Sequence, residues 1–378
     1  MRKIFVVIER RADYSRFKPV LEKIKEDPFF ELYIVVTGIC LLKSHGHDIQ
    51  NIKNDGFKIS SEIKMFKDNG EDSGAEMVRG MSRFMLKIVD ELEKVKPDIV
   101  LSGFDIGANF AVTIAAAHMN IPVAHIQGGE LTGSIDESIR HAMSKFAHIH
   151  FPATMLSKKR LIRIGEDPKF IFTVGCSSID TLLNSKKISK KELEKEFNVD
   201  FSKPVALMIQ HPVTTENNKS DSQIIETIEA LKTLKIQSII LFPNNDAGYS
   251  GIIKQLKKLN VKYYPTLSST KYSNLLRYVS VLIGNSSSGI HEAATFKTPV
   301  VNIGTRQQGR ERSSNVIDVG YSKKEIMEAI KKALYDKKFL NSIKKIRNPY
   351  GIGNSAEKIV KVLKTIPLSN IIQKKFYE

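Results

Sequence analysis

The sequence predicts an α/β protein of two domains, each built on a parallel sheet covered by helices. Short β-branched runs alternate with longer stretches of helical period from one end to the other, the pattern that parallel sheets with helical crossovers leave in a chain. At 378 residues the chain exceeds what one hydrophobic core usually organises, so two cores are expected. With 42% hydrophobic and 26% charged residues, it has the composition of a globular protein rather than a disordered or fibrous one.

In the first half, strands are expected near Lys3–Ile8, Glu31–Val36, Asp98–Ser102, Pro122–Ile126 and Ile149–Pro152, with helices between them. The segment Gly80–Val95 carries Met81, Phe84, Met85, Ile88, Val89 and Leu92 at helical spacing and stops before Pro97, as a helix should. The second half repeats the pattern with strands near Val205–Ile209, Ser238–Phe242, Val261–Tyr264, Val281–Gly284 and Pro299–Ile303. Between the halves, Ser185–Asp200 is charge-rich and weakly apolar, which reads as a surface helix and connector. We therefore place an N-terminal domain over 1–185 and a C-terminal domain over 200–360, followed by a segment over 361–378 free to return to the first domain.

Composition also excludes several classes. No run approaches the roughly 18 apolar residues of a membrane helix, and Ile4–Ile8 is too short for a signal-peptide core, so a cytoplasmic location without membrane contact is expected. Cys40 and Cys176 stand far apart with no metal-ligand spacing around them, so neither a disulfide framework nor a metal site is indicated. The formal charge of +17 is compatible with an anionic substrate, but the lysines fall in helical stretches such as Lys186–Lys195 and no arginine stripe interleaved with aromatics appears. Nucleic acid is not the expected partner.

Ligands of parallel sheets bind at the carboxyl ends of strands, so the residues following each strand are the candidates for chemistry. After the first strand, Arg10 and Arg11 precede a helix start that itself favours an anion, although an exposed loop of ion pairs fits equally. After the strand Asp98–Ser102, Asp105 either meets a ligand or caps the next helix. The segment after Pro122–Ile126 is the densest in ionisable groups, with Gln127, Glu130, Asp136 and Glu137. Carboxylates crowded there would have their proton affinities pushed apart, supplying an acid and a base at one pH, unless Asp136 and Glu137 only serve a helix N-terminus.

In the second half, His211 follows a strand and is placed to protonate a leaving group, contact a phosphate or remain structural. The run Gly284-Asn285-Ser286-Ser287-Ser288-Gly289 leads into a helix start and reads as a phosphate cradle, with Glu292 suited to ribose hydroxyls. It lacks the spaced lysine of a Walker loop and the glycine fingerprint of dinucleotide folds, which leaves a diphosphate. Arg306, Arg310 and Arg312 follow Pro299–Ile303, as pyrophosphate ligands or as an exposed basic loop.

The blocks Arg11–Ser15, His125–Glu130, Gly133–His141, Gln210–Thr215, Phe242-Pro243-Asn244, Gly284–Ser288 and Gly304–Arg310, in this order, resemble the hydrolysing UDP-N-acetylglucosamine 2-epimerases. That resemblance implies two Rossmann-like domains in a glycosyltransferase-B-like arrangement, an active site in the interdomain cleft, a UDP-sugar substrate, no cofactor, and a homodimer or homotetramer. It implies elimination of UDP to a glycal followed by hydration, giving N-acetylmannosamine for sialic acid synthesis. Asp105, Asp136 and His211 would take catalytic roles, with Arg11, Asn244, Ser286, Ser287, Ser288, Glu292, Arg306 and Arg310 around UDP.

Two departures stand out. The family commonly has Gly-Asp-Arg where this chain has Phe104-Asp105-Ile106, so Arg10 or Arg306 is expected to replace a missing diphosphate arginine. Gln127 stands where many members have a catalytic Glu; an amide cannot abstract a proton, so either Glu130 or Glu137 is expected to carry part of that duty or the proton transfers are expected to follow another order. A UDP-N,N'-diacetylbacillosamine 2-epimerase would share every block, and a glycosyltransferase of the same fold would share the phosphate cradle.

Overall fold

The computed structural model describes residues 1–378 apart from Asn69, Ile106 and Thr266. It contains two six-stranded sheets, all of whose pairings are parallel. The first comprises β1 (Arg2–Ile8), β2 (Phe30–Thr37), β3 (Ser61–Ile63), β4 (Ile99–Gly103), β5 (Val123–Ile126) and β6 (Ile149–Phe151). The second comprises β7 (Val205–Ile209), β8 (Gln237–Leu241), β9 (Tyr263–Tyr264), β10 (Val281–Gly284), β11 (Val300–Ile303) and β12 (Val316–Val319). Their orders, β3-β2-β1-β4-β5-β6 and β12-β11-β10-β7-β8-β9, are the same doubly wound topology used twice.

Strands buried on both faces explain the continuous apolar runs. Ile4, Val6 and Ile8 of β1 join one core layer with Phe17, Val20 and Leu21, whereas Phe5 and Val7 join the opposite layer with Phe84, Ile88 and Leu92. The second sheet divides in the same way, with Ala206 and Met208 on one side of β7 and Val205, Leu207 and Ile209 on the other. Each fully buried Leu, Ile or Phe contributes about 1.5–3 kcal/mol of transfer free energy, so these four layers hold the helices against the two sheets.

Two strands absent from the sequence reading, Ser61–Ile63 and Val316–Val319, lie at sheet edges and are half-exposed; the first is three residues long with one apolar side chain, and the second is interrupted by Asp318. The helix expected at Gly80–Val95 starts earlier, at Gly74, because Ser73 caps it by accepting from the Glu76 N–H. The closing helix Ser355–Thr365 buries Ala356, Ile359, Val360 and Leu363 in the layer containing Ile4 and Phe17, so the chain returns to the first sheet. Asp180 accepts from the N–H groups of Ser355 and Ala356 and fixes the start of that helix. Among the described residues, no helix is long and apolar enough to cross a membrane.

Candidate active site

A doubly wound sheet has one switch point, where successive connections leave to opposite sides and open a crevice at the strand ends. Here the switch points lie between β1 and β4 and between β7 and β10. The four loops that follow these strands carry Arg10 and Arg11, Asp105, His211, and Ser286–Ser288. The two crevices face each other, and the space between them forms two chambers, of about 140 and 250 Å³, that share Arg11, Arg16, His211, Phe242, Ser286 and Ser287 in their walls.

The smaller chamber is lined by Asp105, Asp136, Arg10, Arg306, Arg310, Asn244 and His211. Arg140 reaches from the helix Asp136–Phe146 to ion-pair with Asp105, and Arg10 Nη2 lies 3.6 Å from the same carboxylate. Burial works to raise the Asp105 proton affinity, but Arg140, Arg10 and Arg310 outweigh it and hold the carboxyl below the usual carboxylate range. Among the described residues, the ion pair of Asp136 is a long contact to Arg306, at 3.8 Å. Burial and the nearby carboxylates of Asp105 and Asp246 push its pKa up to about 6. One carboxyl group therefore stays ionised while its neighbour exchanges a proton near neutrality.

His211 is oriented on both sides. The Asn244 N–H donates to its Nδ1 at 3.0 Å, which places the proton of the neutral ring on Nε2. Its own N–H donates to Asn285 Oδ1 at 2.7 Å, and Asn285 Nδ2 donates back to the His211 carbonyl. Burial, then Arg306, Arg10 and Arg11, depress its basicity well below that of free histidine, so it is a neutral hydrogen-bond donor rather than an imidazolium.

The waist between the chambers gathers cationic and hydrogen-bond-donating groups. Gly284 has φ 123°, and a Cβ there would fall 2.1 Å from the Ile209 carbonyl oxygen, so only glycine lets β10 turn into the serine loop. Ser286 caps the short helix that follows by accepting from the Ser288 N–H, and Arg16 Nη2 donates to Ser287 Oγ at 2.9 Å. Arg11 Nη1 is buried and has no hydrogen-bond partner among the described residues. Beyond the waist, the larger chamber is walled by Leu241, Phe242, Leu267 and Tyr272, and Glu292 accepts from Ser288 Oγ at 2.7 Å. Among the described residues, no group of three or more His, Cys, Asp or Glu side chains is placed to hold a metal ion.

Residues 22–364 match the family model described as UDP-N-acetylglucosamine 2-epimerase. The chain belongs to that family. It is 37% identical over 379 residues to the UDP-N,N'-diacetylbacillosamine 2-epimerase (hydrolyzing) of Legionella pneumophila, covering 99% of each chain. It is 34% identical over 387 residues to the GDP/UDP-N,N'-diacetylbacillosamine 2-epimerase (hydrolyzing) of Campylobacter jejuni, covering 100% of this chain and 99% of that one. The solved UDP-GlcNAc 2-epimerase of Neisseria meningitidis bound to UDP-GlcNAc shares the fold, with a TM-score of 0.81 at 22% identity over 96% of this chain and 99% of that one. The protein is thus an enzyme of the hydrolysing UDP-sugar 2-epimerase kind.

For this epimerase the structure places the expected stand-ins for a base at position 127 away from both chambers. Glu130 is 2% exposed and lines neither chamber. It ion-pairs with Arg310, whose Nε lies 3.1 Å away, and accepts from His291 Nε2 at 3.0 Å and Gln127 Nε2 at 3.0 Å. Burial opposes its charge, but His291 and Arg310 outweigh burial and keep it ionised far below the usual range, so it is a poor proton acceptor. Glu137 also lies outside both chambers; its carboxylate accepts from the Thr132 N–H at 2.6 Å and braces the loop. Gln127 is buried behind the cleft with φ 61°.

Ile106, noted for replacing an arginine, lies outside the described residues. Phe104 beside it holds φ 70° and presents its ring to the Arg16 guanidinium 4.8 Å away. Sequence reasoning missed Arg16 and Asp246. Arg16 directly follows the block ending at Ser15 and Asp246 lies two residues past the block ending at Asn244, so inspecting the whole of each strand-end loop would have found them.

Proposed function

We propose that this enzyme converts UDP-N,N'-diacetylbacillosamine and water to the free 2-epimeric sugar and UDP. The observation that carries the reaction is the pair of neighbouring carboxyl groups, Asp105 and Asp136, held at different proton affinities beside an arginine-lined waist. Asp136 takes the C2 proton as the C1–O bond breaks. The electron pair of the C2–H bond forms the C1–C2 double bond, and UDP leaves with the electrons of the C1–O bond. Arg11, Arg16 and Arg306, with the loop Ser286–Ser288, offset the charge that gathers on the diphosphate. His211 Nε2–H donates to the leaving phosphate oxygen, and the larger chamber takes the nucleoside, with Glu292 toward the ribose. Water then adds across the double bond, its hydroxyl at C1 and a proton at C2 on the opposite face.

The choice of sugar is supported by the two relatives aligned over their full length, both of which act on diacetylbacillosamine nucleotides. The second reading, UDP-GlcNAc to N-acetylmannosamine and UDP, is the one with which the sequence leads, and it is favoured by the description of the family itself. Incubating the enzyme with each nucleotide sugar in deuterated water, followed by proton NMR, separates them. Free 2-epimer bearing deuterium at C2 is expected from the diacetylbacillosamine nucleotide at higher kcat/KM. A preference for UDP-GlcNAc would reverse the choice, and nucleotide release only with an added acceptor would overturn epimerisation in favour of glycosyl transfer. The reading carries with it a cytoplasmic homo-oligomer; a monomeric mass by light scattering would overturn the oligomer.

A further inference from the structure

Asp246 lies outside both chamber walls, yet the charges that face the reaction meet on it. It sits on the loop after β8, 8% exposed, and its two oxygens engage arginines from different domains. Oδ1 is 3.7 Å from Arg10 Nη1, Oδ2 is 3.7 Å from Arg306 Nη2, and Asn244 Nδ2 donates to Oδ2 at 2.6 Å. The same Arg306 nitrogen lies 3.8 Å from Asp136 Oδ2, so one cation is suspended between two carboxylates at nearly equal distance. Arg10 is divided similarly, with its other nitrogens 3.6 Å from Asp105 and 3.6 Å from Asp13.

We propose that Asp246 is a positioning residue of the reaction, which by sharing Arg306 and Arg10 keeps both guanidinium groups from closing on Asp136 and so preserves Asp136 as a proton acceptor. The inference rests on the assignment of Asp136 made above. Asp136 is faced by Asp105 from the loop after β4, Asp246 from the loop after β8, Arg306 from the loop after β11, Arg10 from the end of β1, and Arg140 from its own helix. Asp246 and Asp105 disfavour a charge on Asp136, and Arg306 and Arg10 favour it. Removing the Asp246 charge deletes a repulsion and releases two cations, and both changes stabilise the Asp136 anion. A stabilised anion is a weaker base. The loop also couples the two ends of the site, since Asn244 is held by Asp246 and its N–H sets the His211 tautomer.

The test is Asp246→Asn in the full chain, read by carbon-13 NMR titration of the Asp136 carboxyl, assigned by its absence in Asp136→Asn, and by the pH profile of kcat. The expected result is an Asp136 midpoint lower by about half to one pH unit, an acid limb of kcat that moves with it, and a plateau reduced by about threefold to tenfold. Asp246→Glu should restore all three, which loss of folded structure would not explain. A midpoint that stays or rises overturns the inference. A midpoint that falls while the acid limb stays in place would uphold the charge sharing and overturn the assignment of Asp136 as the base. Should Asp246→Asn not fold, Asp246→Ser is read by the same criteria.

Discussion

Glu130 and Asp136 lie close together on the connection after β5, the first buried and the second half-buried, and the fold uses them in opposite ways. Glu130 is in a knot where the Arg310 guanidinium lies against its carboxylate and His291 and the Gln127 amide donate to its two oxygens. Because Arg310 and His291 come from the second domain, the knot fastens one sheet to the other. Asp136, on the chamber wall, has one long contact to Arg306 and two carboxylates for neighbours. Both are drawn out of open water; the partners decide whether such a carboxylate becomes a fastener or a group that exchanges protons.

The largest effect expected from breaking this contrast is at Asp136. Asp136→Asn should lower kcat by about a hundredfold to ten-thousandfold, the usual cost of losing a positioned acid–base group. The same substitution should stabilise the fold. A carboxyl whose folded pKa is raised from 3.8 to about 6 contributes stability that is fully present below pH 3.8 and lost as pH rises through 6. At pH 7.5 the variant should therefore gain up to about 3 kcal/mol over the parent, a gain that disappears near pH 4. Urea unfolding at the two pH values checks this, and an unchanged or lower stability at pH 7.5 would remove the strain attributed to Asp136. In the parent, kcat should fall with acid through an apparent pKa near 6, as the base becomes protonated.

Next in size is Glu130→Gln, which leaves Arg310 buried without its counterion and should cost about 3–5 kcal/mol of stability. Because the Glu130 pKa is depressed, its contribution is present above the ordinary carboxylate range and lost only as pH falls through the depressed value. The deficit should therefore be largest near neutrality and shrink in strong acid. Measured per folded molecule, kcat should drop by less than tenfold. A loss beyond a hundredfold in folded enzyme would return Glu130 to the role of base.

Much of the site was legible because strand ends are legible. β-branched runs mark the inner strands of a parallel sheet, and the residues just past them, Asp105, Asp136, His211, Ser286, Arg306 and Arg310, are gathered in one cleft because both sheets open their switch points toward it. What a residue past a strand does was less legible. Glu130 and Asp136 look alike in sequence, and the difference between them lies in Arg310 and His291, which come from the other domain and have no sequence spacing to Glu130 that any local pattern encodes. Asp246 escaped for a related reason. Its partners are two arginines, one from each domain, and it acts from behind the wall rather than on it.

The smallest expected effect concerns Gln127, whose neutrality is puzzling only while it is pictured in the chamber. Its Nε2 donates to Glu130 Oε1 at 3.0 Å, and its Oε1 is buried with no partner among the described residues. In Gln127→Glu the donor becomes a second carboxylate against an ionised one, in a site that water does not reach. The introduced carboxyl must then hold a proton to keep the contact, so its folded pKa rises, and stability relative to the parent should be kept near pH 4, below the ordinary Glu pKa, and lost by about 2 kcal/mol at pH 8. Activity of the folded variant should change little, since the position faces the knot and not the substrate. A gain of tenfold or more in kcat would mean that position 127 reaches the reacting carbon after all, and that the amide costs this chain catalytic power.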